Sequence, residues 1–202
     1  RAAVLTGGRV TTEDAYGYSK FTRIALHTND IDYRARVTSD EERAFLAAHV
    51  AGSSTTYRDI DNADQVALIA FEPEEESPIV FLRINKQVKK RGLKVTAIAT
   101  KLSIGVEKLK GEFVKVAPGA EGAAVASQQL TDKSVILVGE RASESAGLLS
   151  AVAALAAKSN AKIAWIPRRA GERGAIEAGA LGNLLPGGRP VSDAAARVDI
   201  QS

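Results

Sequence analysis

The chain has 202 residues, of which 45% are hydrophobic, so length and composition predict one compact domain, or two closely joined halves, with a substantial core. Basic residues exceed acidic ones by only three, too few for a dedicated nucleic-acid-binding protein, although the isoelectric point of about 9.2 leaves that class open. The absence of cysteine excludes disulfides, thiolate metal sites and a cysteine nucleophile within these residues, and no apolar run approaches the roughly 20 residues that span a bilayer.

The first predicted helix covers about residues 12–26. Acidic side chains suit its first turn, and apolar side chains recur along it at helical spacing. The residues concerned are Thr11 or Thr12 at the cap, Glu13 and Asp14 in the first turn, and Ala15, Tyr18, Phe21 or Thr22, and Ala25 in the apolar series.

A polar loop over 27–36 and a short helix come next. Asp–Arg pairing is expected to lock the loop, and the charged residues are Asp30, Asp32, Arg34 and Arg36. The helix begins after Ser39, which can cap it, and ends at Gly52. We assign no catalytic role to His27 or His49, because neither has a serine–acid partner that is visible in the sequence.

Two strand–helix–strand units define the predicted fold class. Their elements are a strand over 66–71, a helix over 77–91 ended by Gly92 and a strand over 94–99, then a strand over 135–138, a helix from Ser143 or Ser145 to about Lys158 and a strand over 161–167. Apolar strands joined by helices are typical of a buried parallel sheet. The predicted fold is therefore an α/β, three-layer, open parallel-sheet (Rossmann-like) fold.

We expect two similar α/β halves, residues 1–128 and residues 129–202. The second half ends in a glycine-rich tail from Pro167, predicted as loops and short turns. Because the sequence begins at Arg1 and contains no methionine, we expect it to be a fragment of a larger subunit.

The stretch "FEPEEESP", residues 71–78, places four carboxylates directly after a predicted strand: Glu72, Glu74, Glu75 and Glu76. Open α/β sheets bind ligands at such strand ends, and a helix N-terminus favours anions. The carboxylates would compete for the helix N–H groups and repel a diphosphate. We predict an acidic helix start; a divalent metal site is the alternative, although no histidine or aspartate lies nearby in the sequence.

Three further stretches are weak candidates for phosphate loops. "LTGG" and "VGERASES" lack the glycine spacing that closes a backbone around phosphate, and "GERGAIEAGALG" does not directly follow a predicted strand, as a dinucleotide site requires. Glycines at turns and close packings are the favoured interpretation. The basic stretch "KQVKKRG" is interpreted as a solvated helix end.

Several segments together resemble the molybdopterin oxidoreductases. "EDAYGYSKFTRIALHTNDIDYRAR" is similar to that family's helix and "TNNID–x–R–A–R" loop, and "DIDNADQVALIAFEPEEESPIVFLRINKQVKKRGLKVTAIA" to its next strand–helix–strand unit. "VKVAPGAEGAAVAS" resembles its "PGT–D/E–x–A" segment. The tail from Pro167 resembles the branch of the family that supplies the G subunit of bacterial NADH-quinone oxidoreductase, respiratory complex I.

The resemblance implies the molybdopterin oxidoreductase type of fold in a non-catalytic scaffold without a cofactor of its own. The parent subunit of that branch carries 2Fe-2S and 4Fe-4S clusters in another part, which passes electrons from NADH towards quinone. Expected partners are that cluster-bearing part and other peripheral-arm subunits, at the cytoplasmic face of the bacterial inner membrane. Nucleic acid and direct membrane insertion are not expected.

Departures from the family concern the cofactor site. Active members have a Gly–Ser/Asn–x–Pro turn and a histidine where this chain has residues 70–73 and Ser77. Glu72, Ser77 and Gly139 are thus vestigial cofactor-binding candidates, and no catalytic or metal-binding residue is assigned.

Two alternatives stay open. One is a formate dehydrogenase-like enzyme that binds the pterin cofactor near residues 6–9, 71–77 and 139–145. The other is a nucleotide- or anion-binding module that uses the helix start near Ser143.

Overall fold

A computed structural model describes residues 2–36 and 39–201. The chain divides into two compact units: unit 1 contains the residues up to Gly52 and those from Arg169 onwards, and unit 2 contains Ser53–Arg168. The predicted boundary at residue 128 falls inside unit 2, because the strand that follows it pairs with an earlier strand of the same sheet. Within the described ranges, no helix is both long enough and apolar enough to cross a membrane.

Ten helices and nine strands make up the described ranges. The helices are α1 (Thr12–Ile24), α2 (Asp40–Phe45), α3 (Tyr57–Asn62), α4 (Pro73–Glu76), α5 (Pro78–Arg91), α6 (Ile104–Lys108), α7 (Glu121–Ala126), α8 (Leu148–Ser159), α9 (Glu172–Glu177) and α10 (Ala194–Asp199). The strands are β1 (Val4–Leu5), β2 (Ile31–Asp32), β3 (Gln65–Ile69), β4 (Lys94–Ala99), β5 (Glu112–Lys115), β6 (Val135–Gly139), β7 (Lys162–Ile166), β8 (Leu184–Leu185) and β9 (Arg189–Pro190). A π-helical turn, Leu46–Val50, extends α2, and a 3-10 turn covers Glu140–Glu144.

Unit 2 is built on a five-stranded parallel sheet in the order β5-β4-β3-β6-β7. Val66 and Leu68 of β3 pack with Ile84 of α5 in one apolar cluster. The alternate residues Ala67 and Ile69 point to the other face and are also fully buried. Both faces of the sheet are therefore covered by packed residues, which confirms the predicted α/β parallel-sheet fold.

The predicted helix over 77–91 is confirmed as α5 and has clear end signals. Pro78 occupies its first turn, where the missing N–H is not needed, and Gly92 ends it with a φ of 68°. The prediction that the acidic stretch starts this same helix is wrong. The stretch forms the separate helix α4, since Ser77 leaves the helical conformation with φ −153° and ψ 79°.

Helix α1 of unit 1 is present as predicted, but only Ala15 and Thr22 of its predicted apolar series are buried. Ala15, Ser19 and Thr22 are buried, whereas Tyr18 and Phe21 are 46% and 51% exposed. Small side chains let α1 approach α9 closely: the Ser19 hydroxyl donates to the Gly179 carbonyl just after α9, over 3.2 Å. Apolar spacing alone does not reveal this, because close helix packing selects for small size.

The charged loop of unit 1 contains the short strand β2, which pairs with β1 in parallel. The expected Asp–Arg pairing is confirmed for Arg34, whose guanidinium contacts Asp32 at 2.7 Å. Arg34 also contacts Glu42 of α2 at 2.5 Å, a partner that the sequence pattern does not indicate. Residues 37 and 38, between the predicted loop and the predicted helix, lie outside the described residues.

The glycine-rich tail is more ordered than predicted. It contains α9, α10 and the antiparallel pair β8–β9 in addition to turns. Asp193 caps α10 by accepting the N–H groups of Ala195 and Ala196. Gly187 and Gly188 make the turn between β8 and β9 with φ of 81° and 69°.

Helix α3 begins with a capping box that predicts an acid-sensitive contribution to stability. Asp59 accepts hydrogen bonds from the Thr56 N–H and hydroxyl, each at 2.7 Å, and from Lys162 Nζ at 2.5 Å. The Lys162 hydrogen bond, followed by the Thr56 bonds, lowers the pKa of Asp59 to about 2. The stabilisation is thus fully present above about pH 4 and is lost as the pH falls through about 2.

We therefore expect Asp59→Asn to remove part of the pH dependence of the free energy of unfolding between pH 4 and pH 2. Urea unfolding at a series of pH values measures it. Asp132→Asn, at an exposed aspartate of the same unit, is the control and should leave the profile unchanged. Equal profiles for wild type and Asp59→Asn would contradict the assignment.

Candidate functional site

A cleft of about 620 Å³ opens at the carboxyl ends of four strands of unit 2, β3 to β6. The chain winds from β3 outwards through β4 to β5, then returns to the other side of β3 with β6, so this edge is a topological switch point. Ligands of open α/β folds bind at such points, and the volume is typical of small-molecule sites. Its polar lining comes mainly from the loops after the strands: Glu72, Thr100, Lys101, Ser103, Glu121, Arg141, Glu144 and Ser145.

Glu72 lies at the start of α4 and fills the place where a helix would receive an anion. Its carboxylate accepts the N–H of Glu75 at 2.6 Å and the hydroxyl of Ser103 at 2.8 Å. It also packs against Gly105, where a Cβ atom would overlap the carboxylate. The carboxylate thereby joins the loop after β3 to the loop after β4.

Two further carboxylates of the acidic stretch tie α4 to neighbouring elements. Glu74 binds Lys108 of α6 at 2.6 Å, and Glu76 binds Arg141 after β6 at 2.5 Å. Burial raises the pKa of Glu76 above its ordinary value, although the charge of Arg141 opposes that rise. The stretch forms the short helix α4 and not the start of the predicted helix α5, and its carboxylates connect the loops after β3, β4 and β6.

The other side of the cleft is also acidic. Glu121 accepts a hydrogen bond from the Ser145 hydroxyl at 2.8 Å, and Glu144 adds a third carboxylate to the lining. Of the two cations in the lining, Arg141 is paired with Glu76. Coulomb repulsion in this partly enclosed space therefore disfavours a highly charged anion.

The three vestigial candidates have different positions. Glu72 lines the cleft, whereas Ser77 lies at the α4–α5 junction. Gly139 ends β6, where a Cβ atom would overlap the carbonyl oxygen of Ala70. Ala70 itself has a φ of 48°, unusual for a residue other than glycine. The structure thus brings the ends of β3 and β6 into direct backbone contact and leaves Ser77 and Gly139 out of the cleft lining.

The predicted helix start at Ser143 or Ser145 is too early, since Gly147 precedes the first residue of α8. Its hydroxyl donates to the Glu140 carbonyl at 2.7 Å within the 3-10 turn, and the long helix α8 begins only at Leu148. An anion site at that helix start therefore has no support. Ser103 is a site residue that the sequence prediction missed, although a serine followed by a short amphipathic stretch after a strand is a helix-start signal.

The two histidines lie in different local surroundings. The His49 ring lies against Phe45 with 5.1 Å between ring centroids, and His27 occupies a turn with a φ of 52°. In residues 2–36 and 39–201, no three histidine, aspartate or glutamate side chains are grouped to hold a metal ion.

The parallel sheet and the cleft at its strand ends place this protein in the class of open α/β folds, in which ligands usually bind at a topological switch point. The chain belongs to the molybdopterin oxidoreductase family, whose family model matches residues 2–191. This confirms the resemblance inferred from the sequence motifs.

Among relatives, the chain is similar to the G subunit of NADH-quinone oxidoreductase. It is 51% identical to that subunit from Mycobacterium bovis over 210 residues, which is 99% of this chain and 26% of the relative. The same subunit from Streptomyces coelicolor is 47% identical over 99% of this chain and 28% of its own length. The chain thus spans about a quarter of the length of these relatives.

A more distant relative is the F420-dependent formate dehydrogenase subunit alpha of Methanocaldococcus jannaschii. It is 30% identical over 122 residues, or 59% of this chain and 18% of the relative. This likeness covers a smaller part of the chain than the likeness to the NADH-quinone oxidoreductase subunits.

The cleft residues do not fit the diphosphate of a pterin dinucleotide. The Glu72 carboxylate already accepts the α4 N–H group that such a phosphate would use, and Gly105 is packed against it. A phosphate would have to displace Glu72 and lie beside Glu121 and Glu144. The hydrogen-bond acceptor for the Glu75 N–H and the Ser103 hydroxyl in this cleft is the Glu72 carboxylate.

Glu72→Ala is expected to lower the free energy of unfolding of unit 2 by about 1–2 kcal/mol, because it removes a helix cap and leaves Ser103 without this acceptor. Urea unfolding followed by the fluorescence of Trp165, the single tryptophan, measures the change. Glu75→Ala removes an exposed carboxylate from the same helix and should change it by less than about 0.5 kcal/mol. Similar losses in both variants would contradict the role of Glu72.

Proposed function

We propose that this chain is a non-catalytic, cofactor-free scaffold fragment of the G subunit of an NADH-quinone oxidoreductase. The parent complex would transfer electrons from NADH to quinone through 2Fe-2S and 4Fe-4S clusters and couple this transfer to proton pumping. The chain would contribute no chemical step. It would hold neighbouring parts of the complex in place through its surfaces.

One observation carries the proposal: the Glu72 carboxylate occupies the anion position of the strand-end cleft. In an open α/β fold this position is the usual ligand site, so a built-in acceptor there argues for a structural role. The 51% identity to an NADH-quinone oxidoreductase subunit over 99% of the chain supports the same assembly.

The proposed surroundings follow from that assembly. The partners would be the cluster-bearing part of the same subunit and other peripheral-arm subunits, at the cytoplasmic face of the bacterial inner membrane. Neither nucleic-acid binding nor direct membrane insertion is proposed.

A pterin-dependent oxidoreductase of the formate dehydrogenase type is the second candidate. It is favoured by the size of the cleft, about 620 Å³, and by the 30% identity to a formate dehydrogenase subunit. The acidic lining of the cleft argues against it.

The test is a cofactor assay on the native protein that contains this chain, purified with the complex in which it is found. Molybdenum is measured by elemental analysis and pterin by the fluorescence of its oxidised form, with a molybdenum-containing formate dehydrogenase as positive control. We expect neither molybdenum nor pterin in stoichiometric amount, together with NADH-quinone oxidoreductase activity of the complex. Near-stoichiometric molybdenum and pterin would establish the second candidate instead.

A further inference from the structure

One face of α5 in unit 2 carries exposed apolar side chains beside a row of lysines. Ile79 and Leu82 are 55% and 57% exposed. Residues three or four apart share a helix face, so the same face continues towards the C-terminal end of α5 with Lys86, Lys89 and Lys90, all exposed. We call these five residues the α5 surface.

A shallow depression of about 250 Å³ lies within the α5 surface and at its edge. It is lined by Asp61, Ile79, Leu82, Arg83 and Lys86. An apolar side chain of a partner would contact Ile79 and Leu82 there, while polar groups would meet the other side of the depression.

The edge of the depression is held in place before any partner arrives. Arg83 contacts the Asp61 carboxylate at 2.5 Å, and its guanidinium carbon lies 4.6 Å from the centroid of the Tyr57 ring. Tyr57 is itself 50% exposed. Tyrosine and arginine are enriched in protein interfaces, and side chains that are already ordered reduce the entropy cost of binding.

The lysines of the α5 surface are not neutralised within unit 2. Elsewhere in the unit, Lys108 and Lys162 each bind a carboxylate. For Lys86, Lys89 and Lys90, the structure shows no ion pair among the described residues, and the Asp61 carboxylate nearby is bound to Arg83. The surface therefore presents uncompensated positive charge next to its apolar part.

We infer that the α5 surface docks an acidic protein segment, in which an apolar side chain enters the depression and neighbouring carboxylates face the lysines. The inference deepens the proposed scaffold function and rests on it, since a scaffold acts through such contacts. Charge complementarity selects the partner: a neutral or basic segment would leave the lysines uncompensated or repel them.

An anionic membrane is the other surface that lysines attract, and the structure favours it less. The α5 surface as described has two apolar side chains for insertion, Ile79 and Leu82, and three lysines near an anionic bilayer contribute only about 1 kcal/mol each. The depression with its fixed Tyr57, Arg83 and Asp61 edge fits a shaped protein surface, whereas a fluid bilayer would make no use of it.

The test is site-specific photo-crosslinking in the native complex. Leu82→p-benzoylphenylalanine is introduced into the full polypeptide in cells, the complex is purified and irradiated, and the crosslinked peptide is sequenced by mass spectrometry. We expect one protein segment in which several carboxylates flank the crosslinked residue. The same probe at exposed position 107 is the control and should give no such product.

A charge test accompanies it. The triple change Lys86→Glu, Lys89→Glu and Lys90→Glu should lower the crosslink yield at position 82 about tenfold. A matched triple change at exposed lysines elsewhere in unit 2, Lys110→Glu, Lys115→Glu and Lys133→Glu, alters net charge equally and should leave the yield unchanged.

The outcomes separate the two proposals. If the polypeptide that contains this chain is not found in purified NADH-quinone oxidoreductase, the proposed function is wrong and the docking inference fails with it. If the polypeptide is present in the complex, the docking inference alone is tested by the crosslink at position 82. A crosslink only to lipid, to a second copy of the polypeptide or to a non-acidic segment, or no crosslink at all, overturns that inference. Equal yields in the two triple variants also overturn it.

Discussion

Replacing Arg34 with methionine is expected to lower the free energy of unfolding of unit 1 by about 3–5 kcal/mol, the range for loss of one partner from a buried ion pair. Arg34 is 7% exposed, and its guanidinium lies 2.5 Å from Glu42, which is 2% exposed, and 2.7 Å from Asp32. Burial lowers the pKa of Arg34, but the hydrogen bonds and charges of these two carboxylates more than reverse this and raise it. Removing the cation would leave two carboxylates close together with little access to water.

Urea unfolding followed by far-ultraviolet circular dichroism measures the loss. Arg43→Met is the matched control, because Arg43 makes an exposed ion pair with Asp40 and such pairs contribute less than about 1 kcal/mol. The double change Arg34→Met and Glu42→Leu should recover much of the loss, since it removes both buried charges. A loss below about 1 kcal/mol in Arg34→Met would show that the cluster does not hold β2 to α2.

Gly139→Ala is expected to destabilise unit 2 by about 1–3 kcal/mol or more, the usual cost of forcing extra atoms into a packed core. The added Cβ would overlap the carbonyl oxygen of Ala70 and lie 3.1 Å from the Cα atom of Phe71. Both are backbone atoms, so no side chain can rotate away. The ends of β3 and β6 would have to separate at the mouth of the cleft.

Trp165 fluorescence is the measurement of choice here, because β7 pairs with β6, the strand that ends at Gly139. Gly17→Ala is the contrasting control, followed by far-ultraviolet circular dichroism because Gly17 lies within α1 of unit 1; a Cβ atom there would meet nothing within 4 Å. That change should stabilise the protein by about 0.5–1 kcal/mol, because alanine is the better helix former. An unchanged stability in Gly139→Ala would contradict the close approach of the two strand ends.

Local sequence signals were sufficient to predict four of the five strands in the sheet of unit 2, but not the edge strand β5. Short apolar runs bounded by turn residues identified β3, β4, β6 and β7, and Pro78 and Gly92 marked the ends of α5. These signals depend on neighbouring residues along the chain: side-chain alternation, a missing N–H and a left-handed glycine. The family resemblance could also be inferred from the sequence, because it depends on the order of residue types along the chain.

Which side chains meet in space could not be predicted in this way. The partners of the acidic stretch, Ser103, Lys108 and Arg141, follow Glu72 by at least 31 residues in the chain. The buried face of α1 depends on the space beside α9, which favours small residues over large apolar ones. Periodicity reports how residues are arranged along one element, whereas a buried face or an ion-pair partner depends on elements that are distant in sequence. In this protein the local pattern therefore specifies the strands and helices, and long-range packing places Glu72 in the strand-end cleft, in contact with Ser103.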